Sequence, residues 1–287
     1  MSTAFSVFSP QQWKVLQALS VYRFLTVDQM LRLGISKNAK SLRDKTLFAL
    51  RHHRCIHSEK IGSFLPDLHH LTKHGQDMLF QVEGEGTNSV PSTKRIPFSP
   101  VFAPHRFAQV DFHMGFRQWA EMRGDAEVVL ELQDFVRSSA GRNTVPKSAT
   151  EIVITQFSKP IIPDGIFAVS LTTGKVALYL VEVHRSTQSQ AITEQLARYF
   201  EVIKSGTIAQ QFGYAVNPII CSVHHQPSVL LGVKTRLQQH PEYATFKHNF
   251  VFHALEDLNT NFSGGWHFGD DKPAHPFPTT KPKPDAR

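Results

Sequence analysis

The sequence predicts a mixed α/β (α+β) chain built as two modules, and three observations carry that prediction. Residues 9–81 hold several short helix starts with capping chemistry. Residues 159–187, KPIIPDGIFAVSLTTGKVALYLVEVHRST, read as a β-hairpin within an alternation of helix and strand. Between the two, residues 82–104 are rich in Gly, Ser, Thr and Pro and read as a linker. A length of 287 residues suits two domains, each with enough apolar content for a core.

Composition narrows the setting. No apolar run approaches the roughly 20 residues of a membrane span. The start, MSTAFSVFSPQQW, lacks the basic opening and small-residue cleavage site of a secretory signal. Cys55 and Cys221 lie far apart without metal-ligand spacing, so reduced thiols in a cytoplasmic protein are expected. The net charge of +7 is uneven: residues 1–95 carry 13 Lys and Arg against 7 Asp and Glu, whereas residues 96–258 balance at 14 against 14. A polyanionic partner should therefore meet the first third of the chain.

The first module, residues 1–81, reads as a winged helix. Ser9, Pro10 and Gln12 make a capping box for a helix whose face is Trp13, Leu16 and Leu19. Thr26 opens a second helix in the same way, TVDQ, which Gly34 stops. After the turn ISKNA, the segment KSLRDKTLFALRHHR places Leu42, Thr46, Ala49 and Leu50 on one buried stripe. Lys40, Ser41, Arg43, Asp44 and Lys45 are left outward. Lys40, Ser41, Arg43, Lys45 and Arg51 are the expected contacts to double-stranded DNA, since a helix-turn-helix protein reads DNA from this helix. A solvated face, or docking to another protein, is the other reading. CIH (55–57) and LHHL (68–71) read as wing strands joined by EKIGSFLPD, and Thr72 caps the helix TKHGQDML.

The second module, 105–258, opens on a helix from His105, HRFAQVDFHMGFRQWAEMRG, buried through Phe107, Val110, Phe112, Met114, Phe116 and Trp119. EVVLELQDF follows as a strand, with a loop through RSSAGRNTVPKS before the hairpin. Beyond the hairpin come an amphipathic helix carrying Ile192, Leu196, Tyr199 and Ile203, a strand at 218–224, a helix through VLLGVKTRLQQH and a strand at 249–255. Residues 259–287 are Pro-, Gly- and Lys-bearing and aperiodic, and are expected to be disordered, with a docking peptide as the minority reading.

The hairpin carries the chemistry. Asp164 opens its first strand and Glu182 closes its second, so antiparallel pairing brings both carboxylates to one end, with His184 on the same face as Glu182. Asp164 and Glu182 are candidate ligands for Mg²⁺ or Mn²⁺, which would activate water beside a phosphodiester; Asp164, Glu182 and His184 are the candidate catalytic set. A hairpin with a strand-end Asp and a solvated Glu is the plainer alternative. His105 would be an accessory group if its helix packs near these carboxylates, and otherwise a structural cap. The pairs His52-His53, His69-His70 and His224-His225 read as surface or DNA-facing histidines rather than zinc ligands, since in the two strand pairs adjacent residues point to opposite faces. The 22 Phe follow buried periodicities and read as core. A P-loop, a Rossmann glycine pattern and a nucleophile elbow are all missing from the sequence.

Pro163-Asp164 with Glu182-Val183-His184 resembles the PD-(D/E)xK nuclease fold, with His184 where lysine is usual. The order of features, LTKHG at the end of the winged helix, His105-x-Phe107, IPDGIF, and EVHRST before a helix with Tyr199, resembles the replication-relaxation family and the MobC-type plasmid mobilisation relaxases over most of residues 9–255. In that family the last pattern reads E-x-(D/E)-R-x-T: Glu182, Arg185 and Thr187 match and His184 departs. A lysine four residues before the tyrosine is replaced by Gln195, with Arg198 and Lys204 as conceivable substitutes. Arg185 and Gln195 join His105 as accessory positions. The resemblance implies a DNA-binding protein of a bacterial plasmid or mobile element, cytoplasmic, acting in mobilisation, relaxation or replication with relaxosome or conjugation proteins, and bearing a degenerate nuclease-like domain. An active metal-dependent nicking endonuclease and a winged-helix transcriptional regulator are the alternatives.

Overall fold

The computed structural model describes residues 8–83, 99–135 and 148–279. The chain is a mixed α/β protein, and the described residues form one three-stranded and one five-stranded sheet. It divides into two compact units, Met1–Val110 and Asp111–Arg287. The division lies a few residues beyond the boundary expected at 104. Most of the expected linker, 84–98, and most of the loop from 137 to 148 lie outside the described residues.

In the first unit, α1 (Pro10–Tyr22) starts on the predicted capping box, with Ser9 and Gln12 bonded reciprocally. β1 (Phe24–Leu25) leads to α2 (Val27–Arg32), capped by Thr26 and Gln29 in the same way, and Gly34 follows with φ +69. The third helical run is α3 (Ala39–Ser41), a π-helical stretch Leu42–Leu47 and α4 (Phe48–His52). The wider π turn is the departure from prediction. It brings Leu42 and Leu47, five apart, into the core beside Thr46 and Leu50, and leaves Ala49 half-buried. β2 (Ile56–Glu59) and β3 (Leu68–Leu71) form the expected hairpin, and β1 completes the sheet in the order β1-β3-β2, all antiparallel.

α5 (Lys73–Glu83) then starts on Thr72, whose Oγ1 accepts from Gly75 N at 3.1 Å and donates to the Arg54 and Cys55 carbonyls. Gly75 has a steric reason: a Cβ there would stand 2.1 Å from the Cys55 carbonyl oxygen. The LTKHG string is thus a helix start pressed against the strand-end backbone.

The second unit takes up the latter part of α6 (Ala103–Arg123) and then β4 (Ala126–Gln133), β5 (Gly165–Leu171) and β6 (Val176–His184). α7 (Ser189–Ser205), α8 (Thr207–Phe212), β7 (Ile219–His224), α9 (Pro227–Gln238), α10 (Tyr243–Phe246) and β8 (Phe250–Ala254) follow. The sheet order is β4-β5-β6-β7-β8; the first two pairings are antiparallel and the last two parallel. The predicted hairpin turn is present, with Gly174 at φ +76 and its N–H bonded to Leu171 O.

The two sheet faces have different coverings. Ile166, Ala168, Leu178, Leu180, Ile220, Phe250 and Phe252 pack under α7 and α9 with Ile192, Leu196, Tyr199 and Val233. On the other face Phe167 and Tyr179 meet Phe112, Phe116 and Trp119 of α6.

The expectation of a disordered tail from 259 is corrected. Trp266 and Phe277 are buried, and Phe277 stacks on Tyr179 with centroids 4.8 Å apart. His267 exchanges both backbone bonds with Phe252 of β8, and Tyr179 Oη donates to Pro276 O at 2.9 Å. The reason is apolar area. Phe262, Trp266 and Phe277 cover α6 aromatics that would otherwise face water, and this outweighs a Pro- and Lys-biased composition. Residues 280–287 lie outside the described residues.

Candidate functional site

β5 begins one residue after Asp164, and β6 ends at His184. Because the hairpin is antiparallel, with Gly165 opposite Val181, Asp164 and Glu182 reach the same sheet end, as the sequence implied. Asp164 Oδ2 accepts from Val183 N at 2.7 Å, a bond that ties the first carboxylate to the second strand. Leu178, Leu180 and Glu182 alternate onto the face under α7. There the Tyr199 hydroxyl donates to Glu182 Oε1, and Gln195, one turn earlier, also hydrogen-bonds that carboxylate.

A third acid arrives that sequence reasoning missed. Gln133 of β4 pairs with Gly165, and the next residue, Asp134, donates its N–H to Asp164 O at 3.2 Å. Its place follows from the β4–β5 register, which no local pattern in EVVLELQDF fixes. Asp134 and Asp164 both act electrostatically on Glu182.

Burial pushes the Glu182 carboxyl well above the usual carboxylate range, and the negative charges of Asp164 and Asp134 push it the same way. The Tyr199 and Gln195 hydrogen bonds work against this shift. Tyr199 is raised as well, by burial first and by Glu182 next. A buried carboxyl crowded by like charge stores a preference for either a proton or a cation. Hard carboxylate oxygens on Asp164 and Glu182 fit Mg²⁺ or Mn²⁺ in donor type. They supply two acidic side chains, and among the described residues no three His, Cys, Asp or Glu side chains gather into a metal-holding group.

The positive charge that phosphate chemistry wants is not supplied by the residues considered for it. His184 is buried, its ring 4.8 Å from that of His224 on the parallel neighbour β7. Its partner His224 is pushed down to about 3 by burial and by Lys234, so it is neutral at pH 7, and its Nε2 lies 2.8 Å from Ser222 Oγ. Registers Glu182–Ser222 and His184–His224 make a polar block at the ends of β6 and β7 that the sequence did not reveal. Arg198 is committed to the Lys159 and Pro160 carbonyls and lies over the Phe157 ring, and Lys204 pairs with Glu201 and Glu242. Neither stands in for the missing lysine. Arg185 is exposed just beyond β6, and Thr187 is exposed too.

His105 is the third residue of α6, inside its first turn rather than before it, and its Nε2 is 3.1 Å from Gln109 Nε2; by contact it belongs to the first unit. The expected cap role is therefore corrected.

In the first unit Lys40, Arg43, Lys45 and Arg51 are all exposed along the third helical run. Ser41 is half-buried, and its N–H donates at 2.9 Å to the side chain of Asn38, which caps the helix. The histidine pairs behave as strand geometry required: His69 is buried with Nδ1 on Ser58 Oγ while His70 is half-buried, and His224 is buried while His225 is exposed.

The chain matches no family model, no curated protein and no solved structure.

Proposed function

We propose that the chain is a DNA-binding protein of a bacterial plasmid or mobile element, acting in DNA mobilisation or relaxation, with a nuclease-like second unit whose site is degenerate. The observation that carries this reading is the exposed basic series Lys40, Arg43, Lys45 and Arg51 on a helix that follows α1 and α2 and precedes a two-stranded hairpin. That element order is the order of a winged helix, whose third helix enters the major groove. The sheet-end carboxylates Asp164 and Glu182 support nuclease ancestry for the second unit.

Asp164 and Glu182 would hold a divalent cation, which when bound supplies an activated water or Lewis acid beside a phosphodiester. The chain's own residues do the rest: Tyr199 and Gln195 orient Glu182, and the Val183 N–H orients Asp164. Charge developing on phosphate needs a fixed cation. With Gln195 in the lysine position and Arg198 and Lys204 engaged elsewhere, cutting is weak or absent, and the protein binds and positions DNA.

The test is duplex binding measured against salt. Neutralising about three or four phosphates gives a slope of log K on log salt of roughly −3 to −4. A Lys40→Ala, Arg43→Ala, Lys45→Ala triple variant should bind more weakly and with a shallower slope. Salt-independent binding, or an unaltered triple variant, removes the reading.

A further inference from the structure

Beside the basic helix the first unit encloses a cleft of about 460 Å³. One wall is the helical run, through Arg43, Asp44, Phe48 and Arg51; the other is the start of β3, through Asp67 and His69. Arg43 and Asp44 belong to the π-helical stretch, a geometry that recurs at functional sites. Phe48 leaves 59% of its surface exposed, an apolar ring that the core does not use.

His69 is the least expected group. It is 3% exposed, its Nδ1 is bonded to Ser58 Oγ at 2.7 Å, and its Nε2 has no hydrogen-bond partner. Burial is the main cause that lowers its pKa to about 4, so the ring is neutral at physiological pH. An imidazole nitrogen left unsatisfied on a residue of the cleft wall costs free energy that a ligand group reaching it would offset.

The charges decide what kind of ligand. Asp28 adds a third carboxylate to the lining, so two guanidiniums face three acids. Such a cleft has no excess positive charge and does not match a bare phosphate. It offers acceptors for exocyclic amines and ring N–H groups, donors for ring nitrogens and carbonyls, and an exposed aromatic face for stacking. Those are the demands of a base edge and a base plane together. In paired duplex the Watson–Crick edge is occupied and the plane is stacked, so the base must be out of the stack.

We propose that this cleft binds a single unpaired nucleobase, taken either from a free nucleotide or from an extrahelical position in DNA. The DNA source rests on the duplex-binding reading above; the free-nucleotide source does not.

The experiment uses the full chain and three probes: a duplex with one extrahelical 2-aminopurine, the same duplex fully paired, and free 2-aminopurine ribonucleoside monophosphate. Anisotropy reads binding of the duplexes, and 2-aminopurine fluorescence reads stacking. The extrahelical duplex should bind about tenfold tighter than the paired one, the scale of one base stacked on an aromatic side chain, with the fluorescence quenched. Phe48→Ala and Asp67→Asn, each confirmed folded by its melting curve, should erase that preference and leave paired-duplex affinity in place. Quenching of the free nucleotide, lost in the same variants, also supports the cleft and assigns it to nucleotides in solution. If the paired duplex does not bind at all, the DNA-binding reading fails, and the cleft is judged on the free nucleotide alone. Equal affinity for both duplexes without quenching of any probe, or a preference that survives both substitutions, overturns the proposal.

Discussion

The Tyr199 hydroxyl donates to the Glu182 carboxylate, with both side chains buried between α7 and β6. A fold that buries an acid beside Asp164 and Asp134, with a phenol and an amide as partners, makes ionisation of that acid unfavourable. That cost has a measurable pH signature.

Glu182 has a folded-state pKa raised above its ordinary value of 4.5, by burial first and Asp164 second. A raised acid binds its proton more tightly when folded. Its contribution is fully present below the unfolded value and is lost as pH climbs through the folded one. Glu182→Gln should therefore melt higher than the parent at pH 7, with the gap narrowing as pH falls through the raised folded value and closed below about 4.5. Millimolar Mg²⁺ or Mn²⁺ should raise the parent's Tm and leave the variant's unchanged. A variant that is less stable than the parent at neutral pH would falsify the account of Glu182 as an acid whose ionisation its environment opposes.

Gln195 offers a gain-of-function test. It contacts Glu182 from α7, one turn before Tyr199, where a lysine would place its ammonium beside the carboxylates. Gln195→Lys is expected to acquire Mg²⁺- or Mn²⁺-dependent nicking of supercoiled plasmid, and adding Asp164→Ala should remove it. If the parent already nicks robustly and loses this in Asp164→Ala and Glu182→Ala, the active-enzyme reading wins. Nicking that survives both substitutions would show that the chemistry is elsewhere.

Gly75 tests why the LTKHG string is built as it is. A methyl group there would sit 2.1 Å from the backbone oxygen of Cys55, which cannot swing away as a side chain could. Gly75→Ala should destabilise the first unit by about 1–3 kcal/mol, the usual cost of overpacking, despite alanine's better helix propensity. Thr72→Ala, which removes the cap on the Gly75 N–H, should cost roughly 1 kcal/mol. A neutral or stabilising Gly75→Ala, measured by urea unfolding, would mean that the strand end relaxes to admit it.

Local chemistry made much of the fold legible. Capping boxes at Ser9 and Thr26, the Gly174 turn and the Ile192–Leu196–Tyr199 stripe are all encoded within a few residues, and each element stands where that chemistry put it. The meeting of Asp164 with Glu182 was legible too, since a hairpin's ends are fixed by its turn. Asp134 was not, because its place depends on the β4–β5 register across residues that carry no pattern. The His184–His224 pair depended on a parallel pairing between strands separated by two helices. The π turn at Leu42–Leu47 was hidden because a 3.6-residue period fits the neighbouring apolar positions almost as well. Composition misled at the tail, where three aromatics among Pro, Gly and Lys anchor the chain.

That tail gives the last prediction. Phe277 is fully buried among Phe112, Phe116, Trp119, Tyr179, Phe262 and Trp266, and Trp119 Nε1 and Arg123 Nη1 both donate to Pro278 O. Removing the ring leaves a cavity against six aromatics, so Phe277→Ala should cost the second unit about 3–5 kcal/mol. Proteolysis separates this packing from a merely adhering end. Residues 82–104, with their Gly, Ser, Thr and Pro, should be cut first in the parent, giving two resistant fragments, the second still carrying residues 259–279. In Phe277→Ala the tail should be trimmed back towards Leu258 at a rate comparable with linker cleavage. Should the parent lose its tail as fast as its linker is cut, the aromatic packing at Phe277 does not hold the chain end, and the sheet face it covers must be closed some other way.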